Sequence, residues 1–173
     1  MEFDFGDYPM KWYKALVFVL MPIVLIGQAI GLFSNLVRLS FGDWLGVLGF
    51  DSYREIAAAR LLPFHIIGSA LFELLGVAIG VLLFFAWYNL IKLKKRGIKL
   101  FLNYLIINGV VSTFSAILSS TVNYELQIGD YVFFGRGFFI GGMMFAAVIT
   151  IGLSVLMWHL NKKYFANREQ FFT

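Results

Sequence analysis

Glu73 is the one carboxylate inside four long apolar stretches of this chain. A charged side chain near the middle of a bilayer costs about 3 kcal/mol on insertion scales, so such groups face protein or water rather than lipid. Two roles are open to it: a hydrogen-bonding carboxyl that fixes helix register, or a proton- or cation-binding group lining a wet cavity. Counting inward from the expected outer helix ends at ~1.5 Å per residue puts Glu73 ~14 Å deep, Gln28 ~10 Å, Ser112 ~12 Å and Asn108 ~18 Å. These four residues form a candidate polar cluster inside the membrane. Asn108, Ser112, Ser115 and Ser119 share one helical face by the three-and-four rule. On this reading no Lys or Arg lies at the depth of Glu73.

Other chemistry is weakly represented. His65 and His159 fall at opposite ends of spans expected to run the same way, about 30 Å apart, whereas one metal needs both nitrogens within ~2.1 Å. Ser69 sits one turn from His65, yet a hydroxyl and a base at that spacing alone make no nucleophile. There is no H-E-x-x-H, no G-x-S-x-G, no phosphate-cradling glycine loop, and no pair of Asp residues within the apolar stretches. The chain has no Cys, which excludes disulfides and thiolate sites. The expectation is a non-enzymatic protein with no cofactor and no metal.

The elements that carry these residues follow from composition. Of 173 residues 60% are hydrophobic, 20 are Phe and 14% are charged, with a mean hydropathy of +0.81. Soluble domains carry about 25% charge, so the main solvent of this chain is lipid. Apolar runs at about 12–35, 64–90, 98–120 and 137–160 each reach the ~20 residues that span ~30 Å of hydrocarbon as helix. The expected fold is therefore all-α: one domain over 1–173, a bundle of four transmembrane helices, with exterior loops at 36–63 and 121–136. The acidic start lacks the basic segment of a signal peptide, so the first span is expected to stay as an anchor.

Ten of the fourteen cations flank one set of helix ends: Lys11, Lys14, Lys92, Lys94, Lys95, Arg96, Lys99, Lys162, Lys163 and Arg168. Arg38, Arg54, Arg60 and Arg136 flank the other. By the positive-inside rule both termini are expected in the cytoplasm, at the cell membrane. The basic pI near 9.4 is a consequence of these flanks and implies no nucleic-acid partner. Trp12, Tyr13, Trp87, Tyr88, Tyr104 and Trp158 cluster near the same ends, as an interfacial belt does.

In the second loop Val122, Tyr124, Leu126 and Ile128 alternate with polar residues before Gly129-Asp130 and Tyr131-Val132-Phe133, which predicts a β-hairpin. Val37, Leu39 and Phe41 before Gly42-Asp43 and Trp44 give a shorter echo, so two hairpins could form a small exterior sheet, and the two halves could form a repeat. Ser52 and Glu55 have capping-box spacing, predicting a helix from about Tyr53 that Pro63 bends into the second span. Glycines four apart (Gly27 and Gly31, Gly76 and Gly80, Gly137 and Gly141) and the row Gly142, Ala146, Thr150 and Ser154 predict close helix packing within the bundle, or a dimer seam.

The segments Lys11-Trp12-Tyr13-Lys14-Ala15-Leu16 and Asn161-Lys162-Lys163-Tyr164-Phe165-Ala166-Asn167-Arg168 resemble the ends of small, uncharacterised four-helix membrane proteins of bacteria. That resemblance implies a bacterial membrane location and no activity. The architecture also looks like that of claudins, but the paired cysteines and G-L-W motif of their first exterior loop are missing. The leading expectation is an accessory or partner-binding membrane protein whose contact surface includes Trp44, Tyr53, Tyr124, Tyr131 and Phe133. Its partners would be the bilayer and either another protein or a second copy of the chain. The alternative is a small ion- or solute-handling protein built on Glu73.

Overall fold

The computed structural model describes residues 10–48, 63–127 and 136–173. They form α1 (Lys11–Ser40), α2 (Trp44–Val47), α3 (Pro63–Ile91), α4 (Lys95–Gln127) and α5 (Arg136–Ala166), followed by a 3-10 turn at Glu169–Phe171. Four of these helices, α1, α3, α4 and α5, are long and apolar enough to cross a membrane. Their order is up-down-up-down, because the start of α1, the end of α3, the start of α4 and the end of α5 all meet. The ten flanking cations therefore gather at one end of the bundle, here called the basic end.

The basic end is where the core lies. Met10, Tyr13, Leu16, Val17 and Met21 from α1 and its lead-in pack against Leu83, Ala86 and Leu90 of α3, Phe101 of α4, Phe165 of α5 and Phe172 of the tail. Phe165 meets Phe101 and Phe172 edge-on, with ring centroids 6.4 and 5.7 Å apart. Tyr13 Oη donates to the Leu90 carbonyl at 2.6 Å, and the Tyr13 N–H donates to Tyr164 Oη at 3.1 Å. Away from this end the helix surfaces stay largely exposed, as expected where lipid is as apolar as the side chains and apolar area alone draws no helices together.

Two details close the basic end. The α3–α4 turn is a Schellman motif: Lys94 N–H donates to Asn89 O at 2.9 Å and Leu93 N–H to Leu90 O at 2.8 Å, with Leu93 at φ 52° where glycine is usual. That conformation costs a residue with a Cβ about 1–2 kcal/mol. Packing of Leu93 on the core and its carbonyl's acceptance of the Thr173 N–H at 2.8 Å offset the cost. Gly97 lies against the α3 backbone, where a Cβ would meet Leu90 N at 2.7 Å and Asn89 C at 2.9 Å. Only glycine lets the two helices approach this closely.

The first five turns of α1 are not uniform. Leu16–Leu20 is π-helical, and Pro22 follows. A proline ring clashes with the carbonyl four residues before it, and a wider π turn relieves such a clash. In this register the Met21 N–H donates to Leu16 O, and the donor due at Val17 O is the N–H that Pro22 lacks. Trp87 Nε1 supplies it from α3 at 2.8 Å. Trp12 Nε1 likewise donates to Asn161 Oδ1 at 2.9 Å, so both indoles serve helix-to-helix contacts as well as the interfacial belt.

Three expectations are corrected. Residues 122–127 are helical, not the first strand of a hairpin: α4 runs on to Gln127, because extending a formed helix adds one hydrogen bond per residue whereas a lone hairpin is marginal. The other half of that hairpin, with Tyr131 and Phe133, lies outside the described residues. The shorter echo is helical too. Val37 and Leu39 belong to α1, Gly42 turns the chain at φ 76°, and Asp43 caps α2 by accepting the Gly46 N–H at 3.0 Å. Gly-Asp is here a helix C-terminus and the next N-cap, and the described residues contain no strand. Lastly, a Cβ on Gly27, Gly31, Gly76, Gly141 or Gly142 would touch nothing within 4 Å, so these glycines do not seat helices on one another. Of the expected small residues Gly80 and Ser154 do pack closely, against Gln28 and Gly109, and Gly68 against Leu118 joins them. The predicted helix near Tyr53 and its junction before Pro63 lie outside the described residues, as does the second Gly-Asp on which the repeat rests.

Candidate functional site

Beyond Met21 a groove of about 1110 Å³ runs along α1 and α3. That is the size of a generous small-molecule site, for which 300–1,000 Å³ is typical. Its walls are mostly apolar: Leu25, Ile26 and Leu32 from α1 face Val77, Val81 and Phe84 from α3. Ser34, Asn35, Arg38 and Glu73 also line it.

The antiparallel register of α1 and α3 arranges these residues along the groove. Asn35 Nδ2 donates to Glu73 Oε2 at 3.4 Å; seven residues further down α1, Gln28 lies over Gly80; and another turn or two on, Val17 meets Trp87. The polar side chains thus collect at the end away from the cations, and Trp87 closes the basic end. Arg38 sits one turn beyond Asn35 and is held there by the Gly46 carbonyl, to which Nη1 donates at 2.9 Å, and by Asp43 at 3.8 Å.

The expected cluster is split by this geometry. Glu73 opens onto the α1–α3 groove, while Asn108, Ser112 and Ser115 line a second cavity of about 450 Å³ with Phe72 and Ile79. Gln28 and Gly76 line both cavities and form the wall between them. Gln28 is about 10 Å along the helix from the level of Glu73, not about 4 Å as the depth count gave. About half of the shift arises because α1 continues to Ser40, five residues or about 7.5 Å past the end of the apolar run. Gln28 Oε1 is buried and has no hydrogen-bond partner. Asn35, which sequence reasoning placed at the membrane edge, is the hydrogen-bond partner of Glu73, and Arg38, placed beyond that edge, lines the same groove. Gly42 followed by Asp43 was the available signal that α1 runs longer.

The remaining candidates are dispersed. Trp44 begins α2 and is exposed, next to an exposed Phe41. Tyr124 lies on the last turns of α4, and Tyr53 lies outside the described residues. His65 is in the first turn of α3 at the far end, and His159 is exposed near the basic end of α5. Among the described residues no three His, Asp or Glu come together as a metal would require.

No protein family, curated protein or solved structure matches the chain. Function must be argued from the groove itself.

Proposed function

We propose that this is a non-enzymatic, multi-pass membrane protein that binds a cationic solute in the α1–α3 groove, with Glu73 as the anchoring carboxylate. One observation carries the reading: Glu73 opens onto a large, mostly apolar groove, and its hydrogen-bond partner among the described residues is a neutral amide. A carboxylate so placed can pair with an arriving cation, and in a low-dielectric setting that pairing is strong. The cationic flanks put the basic end in the cytoplasm and the mouth beside Arg38 outside.

Thermal unfolding in neutral maltoside micelles tests this, because a ligand that binds only the folded state raises the midpoint. At least one of sodium, potassium, tetramethylammonium and decyltrimethylammonium should raise the midpoint of the wild type and leave Glu73→Gln unmoved. If none separates the two proteins, the reading fails.

A second reading rests on the turn at the far end, where Phe41 is 82% and Trp44 51% exposed. Two large exposed aromatics side by side suit a docking surface for another membrane protein. Trp44→Ser should then release a co-purifying partner while cation binding stays intact; an unchanged set of partners removes this reading.

A further inference from the structure

We propose that the cation is amphiphilic: an organic ammonium held at Glu73, with an apolar chain lying along the wall from Val81 to Trp87, entering sideways from the lipid phase. The inference rests on the cation-binding reading above and names the substrate class.

The groove is poorly made for an inorganic ion. Calcium takes six to eight oxygen ligands, and potassium filters surround the ion with rings of carbonyls. Here Glu73 has Asn35 beside it, and the next amide oxygen, Gln28 Oε1, lies about 10 Å along the helix. The walls between those levels are mainly Ala29, Leu32 and Val77, which replace no hydration shell. An ammonium that is already alkylated needs one carboxylate and apolar surroundings, and both are present.

The polarity runs in the direction an amphiphile requires. The charged groups and Asn35 collect at the Arg38 end, Gln28 lies midway over Gly80, and the aromatic groups Phe84, Phe85 and Trp87 line the opposite end. From Glu73 to Trp87 is fourteen residues of helix, about 21 Å, which suits an extended chain rather than a compact ion. Gly31 and Gly76 line the groove and carry no side chain to fill it, since a Cβ on either would meet nothing within 4 Å. The basic end is shut by Trp87, whose indole is committed to Val17 O. Arg38, fixed on Gly46 and Asp43, stands at the other end of the groove, beyond Asn35 and Glu73. A solute bound this way leaves by the side that faces lipid.

Equilibrium binding to the whole protein in neutral maltoside micelles separates the possibilities. Decyltrimethylammonium should bind at least about tenfold more tightly than tetramethylammonium, and Glu73→Gln should weaken decyltrimethylammonium about tenfold or more, a factor of ten being 1.4 kcal/mol. Val81→Trp fills the wall without touching Glu73; it should abolish the preference for the longer chain and leave tetramethylammonium unchanged. Equal binding of tetramethylammonium or sodium, still dependent on Glu73, overturns the amphiphile and keeps the cation site. Chain binding that ignores both substitutions overturns the amphiphile and the cation site together. Displacement of the probe by one equivalent of phosphatidylethanolamine assigns the groove to a bilayer lipid and overturns the proposal.

Discussion

Phe165→Ala should destabilise the protein by about 3–5 kcal/mol, the usual cost of removing a fully packed aromatic side chain. Phe165 is 1% exposed and packs edge-on against Phe101 of α4 and Phe172 of the tail, inside the cluster that also holds Tyr13 of α1 and Leu90 of α3. The loss has two parts: the ring's own contacts, and a cavity at the point where α1, α3, α4 and the tail converge. Because the rest of each helix faces lipid, the remaining bundle has little packing to compensate. Phe145 on the same helix is 68% exposed, and Phe145→Ala should change stability by no more than about 0.5 kcal/mol. Reversible unfolding in mixed micelles measures both. Equal effects at the two positions would mean that stability is spread along the helices rather than concentrated at one end.

Trp87→Phe should cost about 1–3 kcal/mol, because it leaves the Val17 carbonyl buried without a donor. The missing donor is caused by Pro22, so the two positions are coupled. In a Pro22→Ala background the chain regains a backbone N–H, and the same Trp87→Phe change should cost about 1 kcal/mol less. A double-mutant cycle reads this directly. Additive effects would show that the indole acts by bulk alone and that the π turn at Leu16–Leu20 does not depend on it.

These two sites show what was legible in the sequence. The four spans were, because about twenty apolar residues between cationic flanks have few alternatives in water or lipid. The packed end was not. Met10, Tyr13, Phe165 and Phe172 read as ordinary membrane flanks, and only the fold brings the tail back to Leu93. Pro22 was a signal of a fault in the first helix that the sequence reading passed over, and the group that repairs it depends on where α3 crosses. The alternation at 122–127 was a true period of two, but six residues at the end of a 33-residue helix follow the helix. For the site, Glu73 stood out on type and depth alone. Its neighbours did not: α1 runs five residues past its apolar run, which accounts for part of the shift that puts Asn35 rather than Gln28 beside Glu73 and lets Arg38 line the groove.

The account depends on the space between α1 and α3 being a binding site rather than a lipid-filled gap. Photolabelling with a decyltrimethylammonium analogue carrying a diazirine in its chain, followed by peptide mass spectrometry, locates the occupant. Adducts should concentrate on Val81, Phe84 and Phe85 and on Leu25 and Ile26, and should fall away in Glu73→Gln. Adducts spread evenly over outward residues such as Phe114 of α4 and Phe145 of α5, at the same level in both proteins, would contradict it.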